Sequence, residues 1–303
     1  MDHGRVDEIL AAERPAFGRA VRAIITGDVA ALGAELAAEP DLVRARSAQI
    51  HRATLLHYVA ANGIEDALQR PVREADQIAR SLLAAGAEVD ATCDAYDGRY
   101  PTTLSLVVSS DHPARAGVAA TLVEILCDAG AAVDGLGGDR LPMSSALLFA
   151  RIECADALVR RAARTDNPVF AAAAGDVDWV RRWLDREPGV AVGPCPTFPL
   201  ETERQALAEQ ALVFASLCGR LDAVRLLLDR GTHIDAMPPG SHWTATALHA
   251  AAGQGQRAVV ELLLARGADP SIKDARYQST PLGWASHLGH DEIVAVFREL
   301  IES

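Results

Sequence analysis

The stretch Thr246–Ser271, TALHAAAGQGQRAVVELLLARGADPS, decides the fold. It reads as two short helices back to back, followed by a turn. The Thr246 hydroxyl can accept one of the backbone N–H groups left orphaned at the start of a helix. Leu248, Ala251 and Ala252 give that helix a small-residue inner face, and Gly255 ends it. Val259, Val260, Leu262 and Leu263 form the apolar stripe of the second helix, which Gly267 stops. Neither helix can bury its apolar face alone, so the unit requires a copy of itself on each side.

Such copies exist. Downstream, Thr280–Val296 (TPLGWASHLGHDEIVAV) begins one, with Pro281 at the first helical position. Upstream, the two-helix pattern returns over residues 16–39, 53–90, 102–134, 144–163, 167–189 and 210–235, which makes eight units. Units one and four are degenerate, and four lacks both punctuating glycines. The T-P-L and T-x-L-H starts, with a period near 33 residues, resemble the ankyrin repeat. Fragments such as ATLLHYVAANG are similar to bacterial ankyrin proteins. The resemblance covers nearly the whole chain. It implies an all-α solenoid of about eight helix-turn-helix repeats, with irregular insertions. Residues 1–303 then form one domain, or two, 1–189 and 205–303, divided at a proline-rich loop.

Composition agrees with closely stacked helices. Half of the residues are hydrophobic but only 5% are aromatic, so the core is built from Ala, Leu and Val. A net charge of −12 repels a nucleic-acid backbone or an anionic membrane. The apolar runs are too short to span a bilayer, and MDHGRVDEIL lacks the layout of a signal peptide, so a cytoplasmic protein is expected. The five cysteines are odd in number and widely spaced, without a C-x-x-C pair; they read as buried free thiols.

Departures from the period are informative. Gly255 and Gly267 lie 12 apart, as do Gly219 and Gly231, but Gly63 and Gly86 lie 23 apart. Residues 64–77 and 111–118 are therefore insertions in the helix-to-helix turns of adjacent repeats, expected side by side on one edge. They either wall a groove or reflect neutral loop drift. A second irregularity, GVAVGPCPTFPLETERQALAE (189–209), reads either as a hinge cut first by proteases near Thr197–Arg204 or as a loop anchored by Phe198.

The resemblance further implies a concave face that binds partners, formed by hairpin tips and first helices. The two residues ahead of each inter-helix turn are expected to look outward there: Ile25 and Thr26, Ala61 and Asn62, Ser109 and Ser110, Arg151 and Ile152. The row continues with Ala173 and Ala174, Leu217 and Cys218, Gly253 and Gln254, His287 and Leu288. Hairpin tips add Tyr96, Asp97, Tyr100, Trp243, Arg276 and Tyr277; exposed aromatic and Arg residues suit interface anchors. Trp284 replaces a small aliphatic, either closing the groove or filling a terminal core position. His57 and His249 of T-x-L-H are implied to be structural. His287 and His290 fit an H-x-x-H pair, but Gly289 breaks the helix between them, so no metal site is assigned.

No G-x-S-x-G, Walker loop, H-E-x-x-H or dinucleotide fingerprint occurs, and neither a cofactor nor a catalytic residue is assigned. The expected function is a scaffold binding a protein partner, with neither nucleic acid nor membrane. The alternative is a small-molecule ligand, bound or transformed in a pocket of the groove.

Overall fold

The structure is a computed structural model that describes residues 3–96, 100–238 and 244–302. Among the described residues every regular element is helical. Two isolated bridges, Arg46 with Thr54 and Thr92 with Thr102, mark hairpin stems. The chain divides into two compact units, Met1–Ala163 and Arg164–Ser303, and the proline-rich loop lies inside the second.

In the first unit, α1 (His3–Ala11), α2 (Pro15–Thr26) and α3 (Val29–Ala38) open the chain. A 3-10 helix, Leu55–Ala60, replaces the first helix of repeat two, and α4 (Ala75–Ala84) follows. Next come α5 (Thr103–Val107), α6 (Asp111–Arg115), α7 (Ala119–Asp128), α8 (Leu141–Leu148) and α9 (Ile152–Arg160). The first helices stack in order: α2, the 3-10 helix, α5, α8. The insertions are structured. Asp66–Leu68 forms a 3-10 turn packed on α1, and α6 packs on the 3-10 helix of repeat two.

The second unit contains α10 (Pro168–Ala174), α11 (Val177–Leu184), α12 (Arg204–Leu217) and α13 (Leu221–Asp229). It continues with α14 (Ala247–Gly253), α15 (Arg257–Ala265), α16 (Pro281–Leu288) and α17 (Asp291–Glu302). Here too α10, α12, α14 and α16 pack in succession. A first helix is flanked on both sides, so all of Ala247–Gly253 is buried. A second helix buries one stripe, Val259, Val260 and Leu263 in α15, and leaves its charged face in water.

Two registers lock neighbouring repeats. In two repeats of the second unit the residue after the inter-helix turn reaches back to the preceding repeat. Arg220 Nε donates to the Ala173 carbonyl at 2.7 Å, and His290 Nε2 meets the Gly253 carbonyl at 3.0 Å. A Cβ on Gly255 would lie 2.8 Å from the His290 ring, so glycine lets that clasp close. Along the second helices, Arg161 pairs with Asp128, Arg230 with Asp185 and Arg266 with Asp229, each joining one final turn to the next.

The missing glycines of repeat four have substitutes. Ala150 and Ala162 adopt the left-handed conformation (φ 53° and 62°) at the two places where other repeats carry glycine. The proline-rich loop is pinned. Phe198 is buried and stacked on Phe214 with ring centroids 5.0 Å apart. Gln210 bridges the loop through Glu201 N and the Pro199 carbonyl, and Arg204 lies over the Trp183 ring, 4.8 Å from its centroid. Residues 197–204 are thus anchored by Phe198 and do not form a free hinge. The exposed stretch is Asp185–Gly189, ahead of them.

Candidate functional site

The capping pair T-x-L-H positions everything near it. Thr246 N and the Thr246 hydroxyl both meet Nδ1 of His249, which fixes the neutral imidazole with its proton on Nε2. That N–H donates to the Ser279 carbonyl of the following repeat at 3.0 Å. Burial lowers the His249 pKa and keeps the ring uncharged. His57 repeats the arrangement with Thr54, and its Nε2 faces the carbonyls of Ala91 and Pro101 without closing a hydrogen bond to either. Burial, helped by the charge of Arg46, pushes its pKa down to about 4. Both rings are locked inside the stack and hold backbone.

The expectation that both residues ahead of each inter-helix turn look outward is corrected. Ile25, Ala61, Ser110, Ala173, Leu217, Cys218 and Gly253 are buried. The flanked first helices leave little of that row uncovered. Ser110 is also spent locally, its hydroxyl accepting from His112 N to cap α6. Arg151 stands one residue past left-handed Ala150 and pairs back to Asp111. Asn62 and Gln254 are half-buried, whereas His287 and Leu288 are exposed.

Two groups of candidates come together. In the first unit the Tyr96 hydroxyl donates to Asn62 Oδ1, and Asn62 Nδ2 donates to Ser109 Oγ at 3.0 Å. Tyr96 itself is left-handed (φ 60°) and 54% exposed; Tyr100 is 62% exposed. In the second unit Arg276, Tyr277 and Trp284 share one organiser, Asp274. This fully buried carboxylate accepts from Arg276 N (2.9 Å), Tyr277 N (2.6 Å), Ser279 N (2.9 Å) and Trp284 Nε1 (3.0 Å). Burial opposes its charge, but the donors win and hold its pKa below the ordinary value. The Trp284 ring packs edge-on against His249 at 5.4 Å and stays half-buried. The tip so ordered presents Tyr277, 63% exposed, with the Arg276 guanidinium 5.4 Å from its ring centroid. Asp97 and Trp243 lie outside the described residues.

Sequence reasoning missed Asp274 because its partners come from four positions on two sides of a turn. Its one signal is an acidic residue six places before the Thr-Pro helix start, where an Asx-type turn forms.

Comparison with known families identifies the repeats of the second unit. A family profile described as ankyrin repeats (3 copies) matches residues 169–274 and, overlapping, 239–302. Residues 169–302 carry ankyrin repeats. Over 64 residues it is also 44% identical to palmitoyltransferase Hip14 of Drosophila melanogaster, a stretch covering 21% of this chain. The chain thus spans about a tenth of that relative's length, matching 10% of it. Outside the family match, the first unit shows the same stack of short first helices. Among the described residues no group of three or more His, Cys, Asp or Glu is placed to hold a metal ion. No described helix is long and apolar enough to cross a membrane.

Proposed function

We propose that this ankyrin-repeat chain is a cytoplasmic, non-catalytic scaffold whose hairpin tips hold a protein partner. The observation that carries the reading is the Asp274-ordered tip, on which Arg276 and Tyr277 project side by side into solvent. Large exposed side chains on a fixed backbone lose little freedom on binding, which favours them as anchors. Tyr96 and Tyr100 supply a second set in the first unit. The acidic surface disfavours nucleic acid and anionic membrane. The test is photo-cross-linking with a benzoylphenylalanine placed at Tyr277, at Tyr96 and, as control, at exposed Arg182 on an outer helix. A discrete adduct from the tip positions, weakened by Arg276→Ala and absent from the control, supports the reading. Equal labelling from all three positions, or none from the tips, overturns it.

A further inference from the structure

A cavity of about 430 Å³ opens between the stems of the first two hairpins. Its lining residues are Val43, Arg44, Arg46, Thr54, Gly86 and Glu88. They lie before the hairpin tips and away from Asn62 and Tyr96 in sequence, and include none of the anchor residues assigned above. The volume falls within the range of small-molecule sites, roughly 300–1,000 Å³.

One charge on its walls is fixed, and among the described residues none meets an opposite charge. Arg46 NH1 is clasped by two carbonyls, that of Arg52 at 3.0 Å and that of Thr92 at 2.6 Å. One edge of the guanidinium is therefore anchored to backbone, and its charge meets no carboxylate among the described residues. Arg44 makes no side-chain hydrogen bond or ion pair among the described residues, and neither does Glu88 on the opposite stem. Two cations on one wall and a carboxylate on the other line one cavity without closing on each other.

We propose that this cleft binds a small zwitterion, with its carboxylate on Arg44 and Arg46 and its ammonium on Glu88. A guanidinium held by one edge offers the other to a carboxylate in the planar geometry that suits it. A ligand of single charge would satisfy one wall and leave the other unpaired. A dianion such as phosphate would also face Glu88.

The test is an amide NMR titration of the full chain with glycine, 4-aminobutyrate and L-arginine. Acetate, butylamine and inorganic phosphate are run beside them. At least one amino acid should give saturable shifts confined to residues 43–46, 54 and 86–88. It should bind roughly tenfold or more tightly than either singly charged probe, the size expected for one charged hydrogen-bonded contact. Arg44→Ala should weaken that binding by about tenfold. Glu88→Gln should remove the preference over acetate. Because Arg46 also clasps Thr92, the exposed Arg44→Ala variant carries the test if Arg46→Gln does not fold. No saturable shift, or acetate or phosphate binding as tightly as every amino acid, overturns the proposal.

Discussion

The indole Nε1 of Trp284 donates to Oδ2 of Asp274 at 3.0 Å and ties a first helix to the hairpin that precedes it. The aromatic ring that departs from the repeat pattern is therefore a strut for the tip carrying Arg276 and Tyr277. Trp284→Phe keeps most of the packing on His249 and deletes one donor, so a loss of about 1 kcal/mol is expected. Asp274→Ala orphans three backbone N–H groups and should cost about 2–3 kcal/mol. The folded pKa of Asp274 is depressed, so its contribution is present above the unfolded value near 3.8 and fades as pH falls through the folded value. The gap in melting temperature between wild type and Asp274→Asn should therefore be constant near pH 7 and shrink below about pH 4. A gap that widens on acidification would contradict this sign.

The same tryptophan accounts for a glycine. A Cβ on Gly253 would lie 2.8 Å from Trp284 Cε3, although Gly253 has an ordinary helical backbone. Gly253→Ala should destabilise the wild type by about 1–2 kcal/mol through this clash. In a Trp284→Leu background the clash is gone, and alanine's helix propensity, about 1 kcal/mol better than glycine's, should make the change neutral or favourable. Denaturant melts of the four proteins give the coupling directly, and additive losses would exclude the contact as the cause.

The repeat was legible wherever local chemistry makes it: the Thr246 cap and the glycine spacing reappear as read, and so does the stripe of α15 except for Leu262, which is half-buried. Burial of the row ahead of each turn was not legible. Whether Ala61 or Cys218 faces water depends on how closely the next repeat approaches, and that closeness is set by side chains some 35–45 residues away, such as Gln256 over Gly219. Arg151 was misplaced by three positions because alanine, in place of glycine, hides the turn. Arg44 and Arg46 drew no notice because a cleft between two hairpin stems has no local pattern.

Repeat four invites repair. Ala150 and Ala162 hold left-handed backbone that glycine adopts without steric cost. Ala150→Gly and Ala162→Gly should each stabilise the protein by about 0.5–1 kcal/mol, after the extra chain entropy of glycine is subtracted. Urea melts followed in the first unit provide the check. Destabilisation by both changes would mean that the alanine methyl groups contribute more than the strain removes.

Acid should loosen the first unit through His57. Its folded pKa, about 4, lies below the unfolded value of 6.5, so the folded state binds fewer protons between those limits. The stability it permits is complete above pH 6.5 and declines as pH falls toward 4, by up to about 3 kcal/mol. Replacing His57 with Asn, which does not titrate, should flatten the stability profile across that window at some loss of neutral-pH stability. An unchanged slope would remove His57 as its source.

The last prediction concerns the loop after repeat five. Arg186 is exposed and left-handed just beyond α11, whereas Arg204 lies against Trp183 and begins α12. Within residues 185–204 trypsin should cut after Arg186 before Arg204, since cleavage requires the chain to open locally and the residues around Arg204 are held by Phe198 and Gln210. Phe198→Ala removes a buried ring stacked on Phe214 and should cost about 3 kcal/mol. The loop should then detach locally, and cleavage after Arg204 should rise to match that after Arg186, with α12 to α17 remaining protected. Mass spectrometry of early digestion products separates the two sites. Early cutting after Arg204 in the wild type would show that the Phe198 anchor does not hold the loop.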